Sequence, residues 1–197
     1  MKNGPESTRD AILAAADKLL GKYGYKKMTI EDLANEVGIG KGSVYLHFSS
    51  KEEIALSHVD AIIERLKSNL RAIAEKNIPA EKRIEQMLIE RVIYRFDSVQ
   101  HYSQSLNELL SALRTNLLDR RRKYFEQEAK IIADVIAEGQ QAGRFRAGDA
   151  GDMAKTFLTA TNSLLPYSLS VYELGERDKV EQRTKKTAEI LIRGISK

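Results

Sequence analysis

The 197-residue sequence predicts an all-α protein of about nine helices, with a small N-terminal three-helix domain and a larger helical domain after it. Three observations support this. Apolar residues recur at three- and four-residue steps through most of the chain. Capping residues and glycines interrupt that rhythm at regular intervals, and no segment alternates apolar with polar in the manner of a strand. There is no internal repeat or low-complexity tract.

The first helix starts at the capping pattern Ser7-Thr8-Arg9-Asp10 and carries the apolar stripe Ile12, Leu13, Ala16, Leu19 and Leu20 up to Gly24. The second has a sharper start. Thr29 caps it, Asp32 lies three residues on, and Glu31 and Asp32 put negative charge where the helix dipole favours it. Ile30, Leu33, Ala34 and Val37 share a face, and Gly38-Ile39-Gly40 is the turn. From Lys41 the third helix runs through Ser43, Val44, Tyr45, Leu46 and His47. Val44 and Phe48, four apart, can face inward, leaving Lys41, Ser43, Tyr45 and His47 outward. Two short helices about a glycine turn form a helix-turn-helix, and an outward face of donors and an aromatic suits a major groove.

The run Met28 to Lys51, MTIEDLANEVGIGKGSVYLHFSSK, together with Glu52-Glu53-Ile54, resembles the DNA-binding segment of the TetR family of bacterial transcriptional regulators. The detailed likeness covers about the first quarter of the chain, and beyond it only helical layout and length agree. The resemblance implies that Lys41, Gly42 and Tyr45 approach bases, and that Thr29, Ser43, Tyr45, His47 and Lys51 meet phosphates. The chemistry fits: Lys41 can donate to guanine, Gly42 holds nothing between backbone and groove, and short hydroxyls fix register. Gly40-Lys41-Gly42-Ser43 is not a phosphate-binding loop, because no strand precedes it and the spacing is wrong.

Ser50 and Glu53 form a third capping pair, opening a long helix that carries Ile54, Leu56, Val59, Ile62, Ile63, Leu66, Leu70 and Ile73 as far as Asn77-Ile78-Pro79. Rooted beside the DNA-reading element, it would act as a lever. Further helices are expected over 80–98, 102–113 and 117–141, the last closed by Gly143. Another, over 153–173, would be kinked at Pro166, and a final one spans 179–195. The domain boundary is placed at 51/52, giving 1–51 for DNA and 52–197 for ligand binding and dimerisation.

Composition narrows the function. There are no cysteines, which excludes disulfides, thiolate metal sites and cysteine nucleophiles and fits a reducing cytoplasm. No apolar run suggests a signal peptide or a membrane span. The formal charge is +4, and residues 1 to 51 hold eight Lys or Arg against six Asp or Glu. Net charge therefore does not single out the N-terminus, and any phosphate footprint must come from where Arg9, Lys26, Lys27, Lys41 and Lys51 point. Arg120-Arg121-Arg122-Lys123 spreads around a helix and reads as a solvated or salt-bridged face. His58 and His101 stand alone, no metal motif or hydrolytic triad can be assembled, and no cofactor or enzymatic activity is expected.

A single short recognition helix reads only a few base pairs, so a homodimer on an inverted-repeat operator in double-stranded DNA is expected. The family likeness implies that the last two helices pair between subunits, which nominates Phe157, Leu164, Leu165, Ile190, Leu191 and Ile195; the same residues could equally fill the monomer's core. Tyr94, Phe96, Tyr102, Phe125, Phe157, Asn162, Tyr167 and Tyr172 could line a pocket for an unknown small-molecule effector, or pack as core. The resulting expectation is a ligand-released repressor, the alternative being a DNA-binding regulator controlled by a protein partner.

Overall fold

The computed structural model describes residues 7–100, 105–166 and 171–197, leaving aside the side chains of 105–107, 110, 171 and 172. The helices among them are α1 (Thr8–Lys27), α2 (Ile30–Val37), α3 (Lys41–His47), α4 (Lys51–Ala74), α5 (Ala80–Val99), α6 (Ser105–Ala112), α7 (Arg114–Gln141), α8 (Ala150–Thr161), α9 (Val171–Leu174) and α10 (Arg177–Ile195). The chain divides into two compact units, residues 1–62 with 101–119, and residues 63–100 with 120–197. This differs from a boundary at 51/52: the first unit takes the beginning of α4 and also α6, which packs on α1. No helix among the described residues is long and apolar enough to cross a membrane.

In the first unit, α1 buries Ile12, Leu13, Ala16, Leu19 and Leu20, as its stripe requires. Its backbone leaves the helical region at Gly24 (φ 78°, ψ 167°), and a short turn continues through Lys27. Met28 and Leu33 are fully buried on either side of the α2 cap, and Ile30 and Ala34 complete its inner face. His58 is not isolated: it is buried on α4, with Nε2 3.3 Å from the Asp17 carboxylate of α1.

The second unit packs α5 against α10, with α8 against both. Its main core draws Leu66, Leu70 and Ile73 from α4, Ile84, Met87 and Leu88 from α5, Ile132, Val135 and Ile136 from α7, and Ala188 and Ile192 from α10. A smaller cluster gathers Val92, Ile93 and Phe96 with Leu164, Leu165, Leu174 and Val180. The end of α7 needs glycine twice. Gly143 turns the chain at φ 71°. A Cβ on Gly139 would strike the ring of Phe145, which is fully buried. Beyond that ring an isolated antiparallel bridge pins the chain end: Arg146 N–H donates to the Ile195 carbonyl at 2.8 Å and Lys197 N–H to the Arg144 carbonyl at 3.1 Å.

The expected kinked helix over 153–173 is instead broken. α8 stops at Thr161, a 3-10 turn covers Asn162–Leu164, and α9 is separate. Pro166 accounts for this: the residue before a proline is driven from the helical region, and Leu165 is extended at φ −92°, ψ 144°.

Candidate nucleic-acid interface

The helix-turn-helix is fixed by its caps. Asp32 N–H donates to the Thr29 hydroxyl at 3.1 Å and Thr29 N–H donates to the Asp32 carboxylate at 2.9 Å, a reciprocal capping box. At the other end Gly38 takes the left-handed conformation (φ 76°, ψ 33°), and the N–H groups of Gly38 and Ile39 both return to the Ala34 carbonyl, at 2.9 and 3.0 Å. The seven residues of α3 then bury only Val44. Phe48 closes the helix in an extended conformation with its ring buried, and the Arg9 guanidinium lies 4.8 Å from that ring's centroid.

Everything else on α3 faces outward or nearly so. Lys41, Gly42 and His47 are exposed, Ser43 is half-buried and Tyr45 is half-exposed. His47 is therefore no core histidine. A Cβ on Gly42 would meet nothing within 4 Å, so no internal packing demands glycine there. The residue pattern gave Leu46 no role, yet at 84% exposure it is the most open of the large exposed hydrophobics among the described residues. The signal was present in the sequence: with Val44 and Phe48 facing inward, a leucine between them must point out.

Two expected phosphate ligands already have internal work. The Thr29 hydroxyl donates to the Asp32 carboxylate at 2.7 Å while accepting from its N–H, so its single proton is engaged. The half-buried Lys51 donates to the carbonyls of Tyr25 at 3.1 Å and Lys26 at 3.4 Å, and its ammonium lies 4.6 Å from the Tyr25 ring centroid. Burial, with the Glu52 carboxylate beside it, pushes the Tyr25 phenol up, so Lys51 stacks on a neutral ring. An ammonium has three donors, which leaves one for a phosphate. The expected capping box at Ser50 is modified: Glu53 N–H donates to the Ser50 hydroxyl at 3.1 Å, but the Glu53 carboxylate accepts from Ser49, one residue earlier, at 2.6 Å.

The other candidates scatter. Phe157 and Ile195 belong to the main core of the second unit, and Phe96, Leu164 and Leu165 to the smaller one. Those side chains pack in the interior of the second unit. On α10 Ile190 remains 63% exposed and Leu191 half-buried. Tyr94 and Phe125 are half-buried against the main core. The Asn162 carbonyl oxygen accepts from Arg91 at 2.9 Å. Tyr102 and Tyr167, His101, and the side chain of Tyr172 lie outside the described residues. Arg121, Arg122 and Lys123 are exposed around α7, with Arg120 half-buried. No group of three His, Asp or Glu able to hold a metal occurs among the described residues.

A capped second helix, a glycine turn, and a third helix presenting nearly all its side chains outward define a helix-turn-helix DNA-binding regulator. Residues 12–57 match the profile of bacterial regulatory proteins of the tetR family. Over 97% of its length the chain is 26% identical to the HTH-type transcriptional repressor KstR2 of Mycobacterium tuberculosis strain H37Rv, covering 94% of that protein. It is 28% identical to the HTH-type transcriptional repressor DhaR of Mycobacterium sp. strain GP1, over 78% of this chain and 77% of that one. In fold it is similar to a transcriptional regulator from Cytophaga hutchinsonii, with TM-score 0.80, 20% identity, and coverage of 94% and 97% of the two chains. Residues 12–57 thus carry the DNA-binding segment of tetR-family regulatory proteins, and over nearly its whole length the chain is similar to HTH-type transcriptional repressors.

Proposed function

We propose that this regulator is a repressor that binds an inverted-repeat operator as a homodimer and leaves it when a small-molecule effector binds the second unit. The observation that carries the DNA half is α3 itself, which buries one side chain out of seven residues and turns Lys41, Gly42, Tyr45 and His47 outward. Lys41, Gly42 and Tyr45 take the base edges; Ser43, Tyr45, His47 and the remaining donor of Lys51 take phosphates. Thr29 contributes by holding the cap.

Dimerisation follows from the recognition task, since two short helices must read half-sites about one helical turn (~34 Å) or a multiple apart. The outward face of α10 around Ile190 and Leu191 is the surface the proposal assigns to the partner subunit. The effector would be a mostly apolar molecule held near Tyr94, Phe125 and Asn162. Binding more tightly to the conformation whose half-site spacing is wrong, it would draw the population off DNA. α4 supplies residues to both units and is the connection through which this would be felt.

The test is selection of bound sequences from a random DNA library at fixed moderate salt, with light scattering on the same preparation. One inverted repeat and a dimer are expected. A folded protein that enriches nothing overturns the DNA reading. A monomer at micromolar concentration overturns the dimer, and loss of dimer on Ile190→Glu locates the interface.

A further inference from the structure

We infer that Leu46 reads the 5-methyl group of a thymine in the major groove, a specificity contact that rests on the DNA-binding reading above. Leu46 is 84% exposed on a helix whose only buried side chain is Val44, so the fold gains almost nothing from a leucine there. It lies one turn after Gly42, on the same face. Gly42 leaves open space above its own backbone, and nothing inside the protein accounts for the missing side chain. A bare turn followed by an apolar branch forms a notch with a greasy edge. It faces outward between Lys41 and Tyr45 on one side and His47 on the other, all polar groups suited to phosphates and base edges.

Major-groove chemistry supplies one apolar feature, the thymine methyl; the other groups presented there are hydrogen-bond donors and acceptors. Leucine offers neither donor nor acceptor, so of the features within reach of α3 it can match only that one. Its neighbours would supply affinity and register, while Leu46 would discriminate thymine from cytosine at one position in each half-site.

The experiment uses the full chain and the sequence recovered from the library. Each thymine is replaced in turn by deoxyuridine, which removes the methyl and leaves base pairing intact, and affinity is measured for the wild type and for Leu46→Ala. At one thymine per half-site the wild type should lose about fourfold in affinity, the worth of one buried methylene-sized group, and Leu46→Ala should lose nothing further there. Because the side chain is exposed, the variant should melt with the wild type. If every deoxyuridine costs both proteins the same, or if the recovered half-site holds no thymine, the assignment is overturned while DNA binding stands. If no sequence is recovered, both readings fall together.

Discussion

Glu128→Gln should be among the most damaging single substitutions in the second unit. The Glu128 carboxylate is fully buried between two guanidiniums that are themselves 2% and 4% exposed, those of Arg91 and Arg95. Arg91 Nε donates to it at 2.8 Å and Arg95 Nη2 to its other oxygen. Arg91 also reaches the Thr161 hydroxyl at 3.1 Å and Asn162 at 2.9 Å, and Arg95 donates to the Arg91 carbonyl at 3.2 Å. The carboxylate therefore ties α7 to α5, and Arg91 carries the link on to the end of α8. Removing its charge strands two buried cations, and deleting one partner of a buried ion pair costs about 3–5 kcal/mol. In a chain of this size that corresponds to a fall of roughly 6–20 °C in melting temperature. Burial pushes the Glu128 carboxyl up, but the Arg95 and Arg91 charges outweigh burial, so it sits below the usual carboxylate range. Depressed in the folded state, the group contributes stability above the unfolded glutamate value of about 4.3, and that contribution fades as pH falls through the folded value. Circular dichroism melts and urea titrations at fixed protein concentration should show the full gap at neutral pH, closing in acid. A triple variant with Arg91→Met, Arg95→Leu and Glu128→Met should recover most of the loss, since an apolar trio strands no charge. A single variant within about 1 kcal/mol of the wild type at neutral pH would refute the view that this carboxylate is what makes two buried guanidiniums tolerable.

Three further substitutions probe separate parts of the fold. Gly139→Ala adds helix propensity worth about 1 kcal/mol, yet its Cβ would overlap the buried Phe145 ring, so a net loss of about 1–2 kcal/mol is expected in urea; partial rescue by Phe145→Leu would show that the ring is the obstacle. Asp32→Ala removes the carboxylate arm of the capping box, which accepts from the Thr29 N–H and hydroxyl, together with the favourable dipole charge, and should cost the first unit about 1 kcal/mol, read by hydrogen exchange in α2. Lys51→Ala should weaken all DNA sequences alike and lower the salt slope by about one unit for each subunit bound, whereas Lys41→Ala should also alter preference at one base pair. An unchanged slope in titrations with the Lys51 variant would leave that lysine a purely internal tie.

How much could be read beforehand depended on whether the governing interaction was local. The Thr29–Asp32 box, the left-handed Gly38 and the inward pair Val44 and Phe48 all depend on neighbours within four residues, and each is present in the structure. The longer-range features were not legible. His58 had no sequence neighbour to suggest Asp17, because the two lie on different helices. Arg91, Arg95 and Glu128 look like ordinary surface charges until α5 and α7 come together around them. Phe157, Leu164 and Ile195 have the composition of an interface as much as of a core, and only three-dimensional packing separates the two uses. The sequence marks Pro166 as a disturbance, but whether it bends or ends a helix depends on whether neighbouring structure can meet the freed carbonyls. Here the 3-10 turn meets one of them, with Leu165 N–H returning to the Asn162 carbonyl at 3.1 Å.

The cations around the helix-turn-helix divide by the same logic. A seven-residue helix with one buried side chain cannot hold its own position. The residues flanking it do so instead: Arg9 stacks on Phe48, Lys51 ties the start of α4 to the end of α1, and Thr29 spends its hydroxyl on the cap. Positive charge engaged in this way sets geometry. Lys41, by contrast, sits at the first turn of α3 with its side chain exposed, where a cation opposes the helix dipole and is of no help to the helix. In the proposed DNA complex that cost would be offset by a groove flanked by phosphates.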